Sequence, residues 1–367
     1  MRIAFLVSSM DGGGAERVAA LLCNAWVARG HEVVLLPTFS GRGGCSYPLD
    51  AAVEIEYLAD LTTTRIGRSP VGRLLALRKA VAEIRPDVVV SFLTNVNVAA
   101  ILAARAVPVF VSERIYPPLM PLSRFWETMR RLTYARATAV VMQTAQGLAW
   151  LRKEIPRASG SIIGNPLVMP LPHLPPVLEP AQVVPEGARV LLSVGRLDPQ
   201  KNFGLLIEAF GRIAGEFPDW RLVILGEGDE RAALEAIARR TPASERIILP
   251  GRVGDVGMWY ERADAFALTS RFEGFPNVLL EALGHGVPSL AVDCPSGPAD
   301  LMESPARGVL LPASARPDEV AEGLRTLLAG RWPDIRREAA AMRERYDIGV
   351  IADEWLELFK RAKHSDC

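Results

Sequence analysis

Arg271-Phe272-Glu273-Gly274-Phe275-Pro276-Asn277-Val278-Leu279-Leu280-Glu281-Ala282-Leu283 follows a short apolar run at residues 265–268, which reads as a buried strand. Gly274 punctuates the loop that comes next, and Pro276 suits a first helical turn because its missing N–H is not needed there. From Asn277 the apolar residues Val278, Leu279, Ala282 and Leu283 fall at helical spacing. One carboxylate, Glu273, is therefore expected at the mouth of a helix. A second, Glu281, is expected about four residues inside it, roughly 6 Å along the axis. First-turn N–H groups lack intrahelical partners and the helix dipole is positive there. Two carboxylates for vicinal hydroxyls, with N–H groups between them for a phosphate, suit a nucleotide sugar. A plain acidic helix start, favoured by the dipole alone, is the competing reading.

Outward from this stretch the chain alternates. In the second half, apolar strand runs are expected at 190–194, 221–225, 247–249, 265–268, 289–292 and 308–311. Helical patterns lie between them at 203–215 and 229–239, and a helical tail is expected from Pro317 to about Lys360. The first half repeats the pattern. Its strand runs are 3–7, 32–36, 53–57, 87–92, 107–111, 139–142 and 162–163, and its helices begin at Ala15 and cover 74–84, 96–104 and 123–135. Strands apolar throughout, alternating with helices, predict an α/β fold with two doubly wound parallel sheets. Pro166, Pro170, Pro172, Pro175, Pro176, Pro180 and Pro185 crowd the ground between the halves. The expected division is a first domain at 1–168, an extended linker at 169–187, a second domain at 188–345, and a final helix at 346–367 packing back on the first domain. Ligands of such sheets bind outside the carboxyl ends of the strands, here in a cleft expected between the domains.

Composition fits a soluble globular enzyme: 49% of the 367 residues are hydrophobic and 23% charged. The apolar run at 3–7 is too short for a signal-peptide core, and no run approaches the ~20 residues of a membrane span. Cys23, Cys45, Cys294 and Cys367 form no CxxC pair and have no His at metal spacing. Neither zinc nor a disulfide framework is indicated, and a cytoplasmic location is the default. The net charge is zero, yet residues 1–167 carry 19 Lys/Arg against 12 Asp/Glu, a net of +7, which leaves −7 on the remainder. The basic half either meets an anionic surface or acceptor or is merely an uneven solvated face. No nucleic-acid partner is expected.

Two further loops sit where a ligand would lie. Gly12-Gly13-Gly14 separates the first strand from the first helix and can bring N–H groups to a phosphate or an acceptor. Arg17 stands where the last Gly of GxGxxG would be, and no acidic residue ends the second strand, so a dinucleotide site is disfavoured. A plain turn remains the alternative. Gly195-Arg196-Leu197-Asp198-Pro199-Gln200-Lys201-Asn202 joins the first strand of the second half to a helix expected to be capped by Asn202. Arg196 and Lys201 beside that helix start can neutralise a diphosphate without a metal. The competing reading is a surface Arg196–Asp198 pair with Lys201 solvated. Turns at 226–229 and 250–253, and a loop at 293–300 that contains Gly297, complete the set.

These motifs resemble the retaining glycosyltransferases of the GT-B fold, family 4 or group 1, over nearly the whole chain. Glu273 and Glu281 match that family's Glu-x7-Glu element, within Phe272-Glu273-Gly274-Phe275-Pro276-Asn277 onward. The resemblance implies that Arg196 and Lys201 hold the donor diphosphate, that Glu281 binds the ribose, and that Glu273 faces the donor sugar. It implies Gly13 and Gly14 near phosphate and acceptor, and donor contacts at Gly195, Gly274, Phe275, Pro276, Asn277 and Gly297. Val90-Ser91-Phe92-Leu93 and Val111-Ser112-Glu113-Arg114 resemble a bacterial branch that extends polyprenyl-diphosphate-linked saccharides, often with N-acetylhexosamines. Arg114 stands where the family often has His near the donor sugar.

The expected function is thus a retaining, metal-independent glycosyltransferase. It would move an N-acetylhexosamine or hexose from a UDP-sugar, used as substrate with no cofactor, to a lipid-linked saccharide. A nucleotide-sugar epimerase on the same fold and a non-catalytic nucleotide-sugar-binding protein are the alternatives. At 123–135, Phe125, Met129 and Leu132 form a stripe beside Trp126, flanked by Arg124, Arg130, Arg131 and Arg136. This helix either lies on an anionic membrane surface, which would make the enzyme peripheral on the inner face of the plasma membrane, or packs on its own sheet.

Overall fold

The first strand, β1 (Arg2–Val7), has buried side chains from Ile3 to Val7, because both faces of its sheet are covered. The computed structural model describes residues 1–11, 13–39, 45–62 and 69–364, so Gly12 and Cys367 lie outside it. The chain divides into two compact units: residues 1–166 with the segment from Tyr346 onward, and residues 167–345.

The first unit continues through α1 (Gly14–Val27), β2 (Glu32–Pro37), β3 (Val53–Ile55), α2 (Leu58–Leu61), α3 (Pro70–Ile84), β4 (Val88–Phe92) and α4 (Thr94–Ala103). Then come β5 (Val109–Ser112), α5 (Arg124–Thr133), β6 (Ala139–Met142), α6 (Ala145–Glu154) and β7 (Gly160–Ile162). Its seven strands are all parallel, in the order β3-β2-β1-β4-β5-β6-β7. Alternate strand residues serve opposite faces. Ala4 and Leu6 join a core with Leu77, Val96, Ile101 and Tyr134, while Phe5 turns to Trp26 and to Phe92, its ring centroid 4.7 Å from the latter. Helix α3 starts earlier than the apolar spacing predicts. Ser69 Oγ accepts from the Gly72 N–H at 3.0 Å, and Pro70 occupies the first turn.

The second unit holds β8 (Arg189–Val194), α7 (Phe203–Ile213), β9 (Trp220–Leu225), α8 (Arg231–Arg239), β10 (Ile247–Gly251), α9 (Gly257–Arg262), β11 (Ala265–Leu268) and α10 (Asn277–Gly284). It ends with β12 (Ser289–Asp293), α11 (Pro298–Leu301), β13 (Gly308–Pro312), α12 (Pro317–Ala329) and α13 (Ile335–Arg345). Six parallel strands run β10-β9-β8-β11-β12-β13. The Pro-dense residues are held to this unit: the Trp259 indole N–H donates to Leu178 O at 2.8 Å, and the Gly254 N–H to Pro176 O at 2.8 Å.

The helical tail expected from 317 to 360 comes as three helices. Gly330 ends α12, Pro333 follows, and the Trp332 indole folds back to Leu327 O at 3.2 Å. Asp347 then accepts from the Gly349 N–H at 2.7 Å and starts α14 (Ile348–His364). Helix α14 lies against the first unit. Trp355 and Phe359 join Trp26, Phe92 and Phe110 in one aromatic cluster, and Arg29 pairs with Asp353 at 2.7 Å.

Candidate active site

In the second unit the strand order reverses between β8 and β11, and the loops after these two strands meet there. Such a switch point leaves a crevice at the carboxyl edge of the sheet. The loops are bonded to each other: the Arg271 N–H donates to Gln200 O at 2.8 Å, and the Gln200 side chain to Phe272 O at 2.9 Å. Lys201 therefore reaches Glu273, with Nζ 2.7 Å from Oε1, and Ser270 Oγ donates to the same oxygen at 2.6 Å. Both charged side chains are mostly buried, 14% and 8% exposed. Gly195 makes this possible. The Lys201 stem lies across it so closely that a Cβ there would meet Lys201 Cε at 3.0 Å.

Arg196 does pair with Asp198, at 3.1 Å, and its side chain is 77% exposed; Lys201 is not solvated. Asn202 precedes α7 but makes no capping bond. It sits in the left-handed region at φ 54°, and its side chain accepts from Arg271 at 3.3 Å.

Pro276 occupies the N-cap of α10, which begins at Asn277 as the spacing predicts. The N–H groups of Asn277, Leu279 and Leu280 bond to Phe275 O and Pro276 O, so the start of the helix offers fewer donors than the sequence suggests. Glu281 lies four residues in, buried, and accepts from the Tyr260 hydroxyl at 3.0 Å. Tyr260 is stacked on His285, centroids 5.1 Å apart at 26°. Gly274 and Phe275 close over the strand ends with the loop after β12: Ser296 Oγ donates to Gly274 O at 3.0 Å, and the Glu273 N–H to Pro295 O at 3.2 Å. Gly297 needs to be Gly, since at φ 111° a Cβ would stand 2.4 Å from Pro276 Cδ. Burial pushes the neighbouring Cys294 thiol up to about 12, so it stays protonated at neutral pH.

In the first unit, Gly13 is the N-cap of α1 and Gly14 its first residue. The Glu16 carboxylate lies over Gly13, 2.5 Å from where a Cβ would be. Arg114, just past β5, is buried between the Phe92 ring, 4.2 Å from its centroid, and the oxygens of Ser112 and Asn165. Gln143 donates to the same Asn165 oxygen at 2.6 Å. Burial pushes the Arg114 guanidinium down to about 9, and its Nε has no partner. Its neighbour Glu113 points elsewhere, accepting from Tyr134 at 2.6 Å and Thr94 at 2.8 Å, with Arg130 at 3.8 Å. Burial pushes the Glu113 carboxyl up, against the pull of Arg130 and the two hydroxyls.

Sequence reasoning missed Ser270, Tyr260, Gln143 and Asn165. Only the short spacing Ser270-x-x-Glu273 carried a local signal, since the other partners are brought in from distant segments. Among the described residues no group of three or more His, Cys, Asp or Glu could hold a metal ion, and no helix is long and apolar enough to cross a membrane.

Two family models match the chain. Residues 178–346 match "Glycosyl transferases group 1", and residues 13–166 match "Glycosyl transferase 4-like domain". A Campylobacter jejuni relative is 26% identical over 100% of both chains. It is the GalNAc-alpha-(1->4)-GalNAc-alpha-(1->3)-diNAcBac-PP-undecaprenol alpha-1,4-N-acetyl-D-galactosaminyltransferase. The Erwinia amylovora amylovoran biosynthesis glycosyltransferase AmsD is 28% identical over 80% of this chain and 81% of its own. Among solved structures, Anabaena HepE in complex with UDP superposes with a TM-score of 0.79 at 18% identity, over 98% of this chain and 100% of that one. With two doubly wound parallel sheets of the GT-B type and both family models matched, the chain belongs to the group 1 glycosyltransferases.

Proposed function

We propose that this glycosyltransferase moves an N-acetylhexosamine or hexose from a UDP-sugar to a polyprenyl-diphosphate-linked saccharide, retaining the anomeric configuration and needing no metal ion. The observation that carries the reading is the Lys201–Glu273–Ser270 cluster at the switch point of the second sheet, with Arg196 on the same loop. The full-length likeness to an enzyme named for an undecaprenol-linked substrate supports the acceptor class. The UDP complex of a protein with the same fold supports the nucleotide.

Each residue then has a task. An ammonium has three N–H donors, so Lys201 can keep Glu273 and still reach a phosphate oxygen. Arg196, exposed and held only by a weak surface pair, can turn to the same diphosphate. As the bond from the sugar C1 to the β-phosphate oxygen breaks, the charge left on UDP meets cations already in place. The acceptor hydroxyl attacks C1 from the face the diphosphate leaves, and its proton passes to the departing phosphate oxygen. Lys201 and Ser270 both hold Oε1 of Glu273 and leave its other oxygen for a hydroxyl of the donor sugar. Glu281 takes the ribose hydroxyls, and Glu273 orients the donor sugar. Gly195, Gly274, Phe275, Pro276, Asn277 and Gly297 shape the donor loops. In the first unit, Gly13 and Gly14 serve the acceptor side, and Arg114 takes the place of the family's His near the donor sugar. The reaction takes place at the inner face of the plasma membrane, where Arg124, Phe125, Arg131 and Leu132 of α5 form an exposed, basic and apolar face.

The test is a panel of UDP- and GDP-sugars with a short polyprenyl-diphosphate saccharide, with and without EDTA, read by mass spectrometry. One UDP-sugar should give a product with the new bond in the donor's anomeric configuration, and EDTA should not stop it. Lys201→Ala should cut turnover by about 100-fold or more, as loss of one such charge-stabilising group does. Release of free sugar without acceptor would favour epimerisation, and activity restored to the EDTA-treated enzyme only by Mg²⁺ or Mn²⁺ would overturn the metal-free mechanism.

A further inference from the structure

The first unit contains a cavity of about 220 Å³ that the donor chemistry does not use. Thr38, directly after β2, and Asn95, in the first turn of α4, place it at the carboxyl edge of the sheet, where ligands of such sheets bind. Its wall is apolar: Leu58, Leu74, Leu77 and Trp126 from α2, α3 and α5, with the Phe39 ring. Among the described residues Arg73 is the one charged residue in the lining, its guanidinium 5.5 Å from the Phe39 ring centroid, and no acidic side chain shares the wall. The same helices carry exposed apolar residues, Val71 at 68%, Leu75 at 58% and Phe125 at 63%, the last edge-on to Trp126 with centroids 5.3 Å apart.

Size, polarity and charge together narrow the occupant. An apolar cavity of about 150 Å³ holds a benzene-sized guest. A space of about 220 Å³ therefore takes one or two branched five-carbon units and is too small for a protein helix. An apolar wall with a cation, Arg73, in its lining suits an apolar chain that ends in an anion. We propose that this pocket takes the first isoprene units of a prenyl diphosphate, with Arg73 facing the diphosphate, and so seats the lipid end of the acceptor. The inference rests on the lipid-linked acceptor proposed above. A pocket that accepts only the first units leaves the rest of the chain to the exposed apolar residues of α3 and α5 and to the bilayer.

Farnesyl diphosphate, soluble without detergent, is the probe. Its binding to the full-length protein is read from Trp fluorescence, with Trp126→Phe to identify the reporting ring. Binding should saturate, and inorganic diphosphate should bind at least about tenfold more weakly, since two buried methylenes already give that factor; farnesol should lose about as much, since a hydrogen bond to a charged group is worth about 1.5–3 kcal/mol. Ala99→Phe, which fills the cavity, and Leu74→Gln, which makes its wall polar, should each weaken farnesyl diphosphate about tenfold or more while UDP affinity is unchanged. A benzophenone-bearing farnesyl diphosphate should label wild-type α2, α3, α4, α5 or Thr38–Phe39, and this measurement needs no variant to fold. Labelling confined to other segments, or equal affinity in wild type and both variants, would overturn the proposal. Transfer to a prenyl-linked saccharide with an unchanged acceptor KM in Ala99→Phe would also overturn the pocket alone. Transfer only to water-soluble saccharides, with farnesyl diphosphate still bound here, would instead overturn the acceptor reading.

Discussion

At the scale of single residues, the proposed donor loops depend on side chains held by partners far away in sequence. Glu281 is aimed by Tyr260, 21 positions earlier, and Tyr260 is itself fixed by stacking on His285. A hydrogen bond to a charged group is worth about 1.5–3 kcal/mol. Tyr260→Phe keeps the ring in its core beside Phe266 and removes only the donor. It should weaken UDP about tenfold while leaving 2′,3′-dideoxy-UDP nearly unaffected. Calorimetry with both nucleotides checks this, and equal loss for both would assign Tyr260 to the fold alone. Glu273, Glu281 and Lys201 stand out in the sequence because loop and helix signals surround them. Ser270 lies three positions from Glu273 and is found by geometry. Tyr260 is illegible, because an aromatic residue in a short helix looks like any core residue until its hydroxyl is placed.

At the scale of the element, α5 divides its own sequence pattern. The stripe Phe125-Met129-Leu132 predicts one face, yet Trp126 and Met129 pack on the core while Phe125 and Leu132 stay 63% and 66% exposed. The physical reason is Arg130. It is buried, 2.6 Å from Glu127, and lies over the Trp150 ring at 4.7 Å, beside the Glu113 network, so the helix is anchored through a charge as well as through apolar packing. Periodicity counts apolar residues and does not anticipate a buried arginine. Arg124→Glu with Arg131→Glu should therefore abolish co-sedimentation with anionic vesicles at low salt and leave the melting temperature within a few degrees. Arg130→Glu should unfold the first unit, because it sets a third carboxylate beside Glu113 and Glu127, and breaking a buried pair costs about 3–5 kcal/mol. Wild-type protein that ignores such vesicles would remove the membrane from the account. Element ends are read less well than element types. Ser69 and Pro70 lengthen α3, and Gly330 with Asp347 cuts the expected tail into three.

At the scale of the molecule, the fold class is legible because apolar strands alternate with helices through both halves, and parallel sheets require that pattern. Register and strand order are not legible, since they depend on which crossovers turn back at β1 and at β8. The feature with the widest reach is α14. Trp355 is buried among Trp26, Phe92 and Phe359, and Trp355→Ala should cost the first unit about 3–5 kcal/mol. Urea unfolding should show that loss, with UDP affinity unchanged because the proposed nucleotide residues lie in the second unit. The placement of α14 also bears on synthesis. Domains generally fold as they leave the ribosome, the first one first, at about 5–20 residues per second. Here the first unit lacks its last helix until the roughly 180 residues of the second have been made, a wait on the order of 10–40 seconds. During that interval Trp26, Phe92 and Phe110 have no cover from α14, so the second unit has all of its residues before the first unit does.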